Sequence, residues 1–229
     1  MERECLVQHK LRVKALLLDL DGTLVDSTEA LKEAGRAGFA AIGLVNFNDD
    51  KIAFEVARKL EQDLPIDDLF TKFHIGRKVE ERFLPAYLNA YYSVVISKSK
   101  LFPNVKETLT TLSKNFPLAL ITLRYVVREQ VMDELRHLGI RKYFRSVVTA
   151  LDVKKPKPFP DAILVAAEKL GVPIDKCAVV GDSVVDIQAG KSAGAKTVAV
   201  LTGLFSREEL EGEQPDFIIR DVNSLLDFL

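Results

Sequence analysis

The 229-residue chain is 48% apolar and 28% charged, an ordinary globular balance in a chain long enough to bury a core without covalent staples. Its net charge of −1 provides no global field that would recruit nucleic acid or an acidic membrane. The two cysteines, Cys5 and Cys177, are far apart and form no CxxC pair, so they suggest neither a disulfide framework nor a zinc site. No apolar run approaches the ~18 residues of a membrane helix, and residues 1–12 are charged and carry no signal-peptide core. The expectation is a soluble cytoplasmic protein with no nucleic-acid or membrane partner.

In chain order, residues 13–18 form a nearly continuous apolar run that ends in Asp19, Asp21 and Gly22. It is too short for a helix and predicts a buried strand. Residues 26–100 contain no convincing strand but several helical periods. Leu31, Gly35, Gly38 and Ile42 align, as do Ile52, Val56 and Leu60, and Val79, Phe83, Tyr87 and Tyr91. Pro85 falls inside the last of these, which predicts either a kink or a helix that begins near Leu84. Beyond residue 100, short apolar runs at 118–121, 178–180, 197–200 and 217–219, with a weaker one at 147–148, alternate with helical faces. Those faces are Val105, Leu109 and Leu112; Val127, Val131 and Leu135; and Ile163, Ala166, Ala167 and Leu170. Gly139 and Gly171 stand where helix C-caps belong.

This alternation predicts an α/β fold, a Rossmann-like parallel sheet with helices on both faces. The core is expected at 1–25 and 101–229, with an inserted all-helical cap at 26–100. In such folds ligands bind beyond the C-terminal strand ends. Four clusters stand there: Asp19, Asp21, Gly22 and Thr23; Thr122 and Arg124; Lys155 and Lys157, each opening a Lys-Pro-x-Pro; and Asp182, Ser183 and Asp186. If they converge, the carboxylates of Asp19, Asp21, Asp182 and Asp186 would repel one another and any phosphate. A hard divalent cation resolves that conflict, and Mg²⁺ favours few carboxylates together with substrate phosphate oxygens. Lys157 adds a positive charge for the phosphate and Thr122 a hydroxyl donor.

The arrangement resembles the haloacid dehalogenase-like hydrolase superfamily. The Asp19–Thr23 run looks like its first motif, Thr122 its second, Lys157 its third, and Asp182 with Asp186 its fourth. The helical stretch lies where the phosphoglycolate phosphatase-like branch carries its cap. The resemblance implies Mg²⁺-dependent hydrolysis of a small phosphorylated metabolite through an aspartyl-phosphate. Asp19 would be the nucleophile and Asp21 the general acid and then base. Asp19, the Asp21 backbone carbonyl and Asp182 would hold the metal, and Asp186 would orient a metal-bound water or Lys157. Thr122, Lys157 and main-chain N–H groups near Gly22 would bind the phosphoryl group. The nearest alternative is a sugar-phosphate mutase of the β-phosphoglucomutase type; a non-catalytic binding member comes third. Asp21 disfavours a dehalogenase, which has no alkoxide to protonate.

Some residues stay open on sequence alone. Spacing to the following helix favours Lys157 over Lys155. Asp186 also fits a helix-dipole role. Arg124 fits substrate contact and solvent equally well. Tyr87, Tyr91 and Tyr92 read as cap packing, and Arg77, Lys78 and Arg82 as a solvated helix face. His9, His74 and His137 match no motif, and Cys177 reads as a core thiol.

Overall fold

The computed structural model describes residues 10–45, 49–73 and 79–229; Cys5, His9, His74, Arg77 and Lys78 lie outside these. The elements run β1 (Ala15–Leu18), β2 (Val25–Asp26), α1 (Thr28–Ala41), α2 (Asp50–Glu61), α3 (Val79–Lys98), β3 (Lys100–Leu101), α4 (Val105–Asn115), β4 (Leu118–Ile121) and α5 (Arg128–His137). They continue with β5 (Phe144–Val148), α6 (Asp161–Leu170), β6 (Cys177–Gly181), α7 (Val184–Ala193), β7 (Lys196–Val200), α8 (Arg207–Gly212), β8 (Phe217–Ile219) and α9 (Leu225–Phe228).

Six strands form one parallel sheet in the order β5-β4-β1-β6-β7-β8. β1, β4 and β6 are buried throughout, because helices cover both faces and leave no position for the polar half of an alternating pattern. Successive side chains still point to opposite sides. Leu16, Leu18, Leu118, Leu120, Ala178 and Val180 join Val105, Leu109 and Leu112 of α4 and Val131 and Leu135 of α5 in one cluster. Ala15, Leu17, Ala119, Ile121, Cys177 and Val179 join Ile163, Ala166 and Ala167 of α6 in the other. From β1 the chain builds outward through β4 and β5, then returns to add β6, β7 and β8 on the other side. That reversal opens a crevice at the C-terminal ends of β4, β1 and β6.

Helices α1, α2 and α3 pack on a separate apolar cluster that includes Phe39, Ile52, Val56, Phe70, Phe83, Tyr87 and Tyr91. Gly38 is required where Phe83 crosses α1, since a Cβ there would lie 2.5 Å from the ring. Three sequence expectations need correction. The 26–100 stretch is not free of strand: β2 and β3 pair antiparallel, Val25 with Leu101 and Asp26 with Lys100, at the two crossings between the sheet and the helices. A two-residue strand is too short to show a period. Helix α3 does not begin near Leu84; it starts at Val79 and runs through Pro85. Val127 caps α5 and is exposed rather than sharing the buried face of Val131 and Leu135. Among the described residues no helix is long and apolar enough to cross a membrane.

Candidate active site

Asp19 follows β1 and continues its ladder, its N–H donating to the Val180 carbonyl at 2.9 Å. The chain then turns tightly. Leu24 and Val25 both donate to the Leu20 carbonyl, and Gly22 donates to that of Val25. Gly22 sits at φ +79° with its α-carbon against Asp182, where a Cβ would come within 2.3 Å of Oδ2. Only glycine meets both demands. This turn brings Thr23 Oγ1 to donate to Asp182 Oδ1 at 2.8 Å. Asp182 therefore belongs to the same centre as Asp19, although 163 positions separate them.

The structure places the two lysines of the Lys-Pro-x-Pro repeats differently, and Lys157 is the one at Asp19. It is buried, and its ammonium donates to Asp19 Oδ1 and to Asp186 Oδ1, each at 2.6 Å. Lys155 is exposed and lies over the Phe159 ring. Asp186 caps α7, its Oδ2 accepting from Ser183 N–H and Oγ, while its other oxygen accepts from Lys157. Oxygen atoms of Asp19, Asp182 and Asp186 lie within 4.8 Å of one another. Thr122 is buried at the end of β4 and accepts a hydrogen bond from the Arg124 N–H.

The electrostatics of this cluster are unbalanced. Burial, reinforced by the charges of Asp186 and Asp21, pushes Asp19 up to about 7 against the pull of Lys157. Burial and the charges of Asp19, Glu61 and Asp186 also raise Asp182 well above the carboxylate range. Lys157 is held firmly as a cation, because Asp186 and Asp19 outweigh the cost of burying it. Among the described residues Asp182 accepts only from Thr23, whereas both oxygens of Asp186 are engaged. A buried oxygen cluster with surplus negative charge fits a hard divalent cation.

Asp21 has partners of its own. Its carboxylate takes two parallel bonds from Arg124, Nε to Oδ2 at 2.7 Å and Nη2 to Oδ1 at 2.6 Å, and one from the Tyr91 hydroxyl at 3.1 Å. Burial would raise its pKa, but the Arg124 charge and hydrogen bonds outweigh that and hold it below its ordinary value. Arg124 is itself buried and also bonds Glu134 of α5. Sequence reasoning left Arg124 undecided. The signal was its place two residues beyond Thr122 on an extended strand end, which directs both side chains to one side.

A cavity of about 710 Å³ opens on these groups. Asp19, Asp21, Thr122, Arg124, Lys157 and Asp182 line its floor, while Leu31, Leu60, Glu61, Tyr87, Tyr91 and Tyr92 come from the helices. Tyr87 and Tyr91 thus belong both to the helical core and to the cavity wall. Glu61 went unnoticed in the sequence, where it reads as one more charge at a helix end. Arg82 is exposed, as a solvated face predicts.

The model of the haloacid dehalogenase-like hydrolase family matches residues 16–200. The chain is 33% identical to the phosphoglycolate phosphatase of Shigella boydii, over 93% of this chain and 91% of that one. It is 28% identical to the pyrophosphatase PpaX of Oceanobacillus iheyensis, over 93% and 95%. The crystal structure of a hydrolase from Pseudomonas syringae superposes with a TM-score of 0.72 at 28% identity, covering 93% of this chain and 96% of that one. The chain belongs to the haloacid dehalogenase-like hydrolases.

Proposed function

We propose that this protein is a Mg²⁺-dependent phosphatase that hydrolyses a small phosphomonoester by way of a phosphorylated Asp19. The observation that carries the reading is the buried Asp19–Lys157–Asp186 chain beside Asp182, at the foot of a cavity walled by helices. Relatives named for phosphoglycolate phosphatase and pyrophosphatase activity point to phosphoryl chemistry as well.

Asp19, Asp182 and the main-chain carbonyl of Asp21 would hold Mg²⁺, which when bound supplies positive charge against the carboxylates and the phosphate oxygens. An Asp19 oxygen attacks phosphorus, forming an acyl phosphate as the ester P–O bond breaks. Asp21 gives the departing alkoxide its proton. Water then attacks the same phosphorus and loses a proton to Asp21, and the bond to Asp19 breaks to release phosphate. Lys157 and Thr122 bind the transferring group, and N–H groups near Gly22 cradle its oxygens. Asp186 holds Lys157 in place. Arg124 keeps Asp21 ionised at rest, the state that accepts a proton from water. A phosphate dianion entering beside them competes for Arg124 and lets Asp21 take up the proton needed in the first step.

Residues 26–100 act as the cap in this reading, with joints near 25–28 and 97–102, where β2 and β3 tie the two crossings together. Closure keeps bulk water from the acyl phosphate. The test is phosphate release from a panel of monoesters and pyrophosphate, with Mg²⁺ and with chelator, and with sugar bisphosphate added to reveal mutase turnover. Release that requires Mg²⁺ and needs no bisphosphate is expected. Release indifferent to chelator, or none from any member of the panel, would overturn the reading.

A further inference from the structure

Two polar atoms on the helical wall of the cavity have no partner among the described residues. They are Glu61 Oε2 and Tyr87 Oη, both buried. Both residues line the same cavity as Asp19 and Lys157. Glu61 is the last residue of α2, where the negative end of the helix dipole disfavours a carboxylate, so helix stability does not explain it. Tyr87 is held by stacking on Phe83, with ring centroids 5.7 Å apart. Buried groups of this kind are normally satisfied, and leaving them unmade is costly.

The rest of the cavity narrows what could satisfy them. Its lining cations are Arg124 and Lys157, and carboxylates already claim both: Asp21 and Glu134 hold Arg124, and Asp19 and Asp186 hold Lys157. The exposed Asp63 adds a second acid beside Glu61. Among the described residues the helical wall therefore carries two acids, tyrosine hydroxyls and the Gln62 amide, and no positive charge. A carboxylate on the substrate would meet Glu61 without a counter-ion, whereas a hydroxyl or an ammonium would supply the missing donor.

We propose that Glu61 and Tyr87 recognise a hydrogen-bond donor on the alcohol portion of the substrate, so that this enzyme prefers phosphate esters of hydroxylated or amino-bearing alcohols over esters that carry a carboxylate. The assignment rests on the phosphatase reading above. A site built around a donor rejects a ligand lacking it, because its own buried acceptors are then left bare.

The experiment compares kcat/KM for glycerol phosphate, phosphoethanolamine and phosphoglycolate, with p-nitrophenyl phosphate as a general ester. Ratios are taken within each protein, so that an overall loss of activity cancels. The wild type is expected to favour one of the two donor-bearing esters over phosphoglycolate by about tenfold or more. Glu61→Gln should retain a hydroxyl substrate better than an ammonium one, which separates the two donors. Glu61→Lys should shift the ratio toward phosphoglycolate. A wild-type preference for phosphoglycolate, or ratios unchanged in both variants, would overturn the assignment. No hydrolysis of any of the four esters by the wild type would instead overturn the phosphatase reading itself.

Discussion

Arg124 grips Asp21 through both carboxylate oxygens, with Nε and Nη2, and reaches the buried Glu134 with Nη1 and a second bond from the shared Nη2. The pair is sequestered, with Arg124 6% exposed and Glu134 1%, so neither partner can fall back on water. Truncation to Arg124→Ala leaves a buried carboxylate unpaired and is expected to cost about 3–5 kcal/mol of stability. Removing Glu134 as well should restore part of that loss, with a coupling of about 1–3 kcal/mol in a denaturant double-mutant cycle. Additive losses would mean that the two side chains do not act as a unit. Arg124→Lys should also impair turnover, because an ammonium cannot reproduce the two parallel bonds that orient Asp21.

Metal and pH should be linked in stability. Asp19, Asp182 and Glu61 all have their acid forms favoured in the metal-free fold, Asp19 from 3.8 to about 7 and Glu61 from 4.5 to about 8. An acid whose folded pKa is raised keeps its proton in the folded state after the unfolded chain has lost it. Stability therefore falls as pH rises through the window from about 4 to about 8. In chelator the melting temperature should drop across that window. Mg²⁺ should restore it, most strongly at the upper end, where the carboxylates are free to ionise. A chelated protein whose melting temperature is flat over this range would contradict the charge balance described.

Gly203 makes a second close approach to Asp182, where a Cβ would stand 1.7 Å from Oδ2. Gly203→Ala must displace the carboxylate or the loop, at a cost of about 1–3 kcal/mol. Mg²⁺ affinity by calorimetry should fall sharply while the circular dichroism spectrum stays native. Unaltered affinity would remove Asp182 from the metal site.

The helices also touch the core through Arg58. Arg58 of α2 pairs with Glu209 of α8 and lies over Phe205, 4.9 Å from its centroid. As a partly exposed pair it contributes under about 1 kcal/mol to stability. If it clasps the cap, Arg58→Ala should raise KM and speed proteolysis within 26–100 with little change in melting temperature. Equal cleavage rates in variant and wild type would show that the contact does not govern closure.

The sheet was legible because a strand buried on both faces gives a compact apolar run: the run at 13–18 contains β1, and those at 118–121, 178–180, 197–200 and 217–219 lie within β4, β6, β7 and β8. The site was legible where chemistry is concentrated at strand ends: Asp19, Thr122, Lys157, Asp182 and Asp186 meet there because parallel strands deliver their C-terminal ends to one edge. Arg124 was ambiguous because a lone arginine past a strand has no signature until Asp21 and Glu134 are seen around it. Glu61 was invisible for a different reason. Its importance comes from where α2 ends relative to the crevice, a tertiary fact that no local period encodes. The β2–β3 pairing escaped because two residues cannot display alternation.

The central claim is that Asp19 carries the phosphoryl group, and a single-turnover experiment tests it most directly. A substrate with a radiolabelled phosphoryl group is mixed with enzyme and Mg²⁺, quenched in acid at successive times, digested, and mapped. The account predicts early label on the peptide containing Asp19, decaying as free phosphate appears, with neither label nor release in Asp19→Asn. Phosphate appearing at full rate with no label on that peptide, or undiminished release from Asp19→Asn, would contradict it.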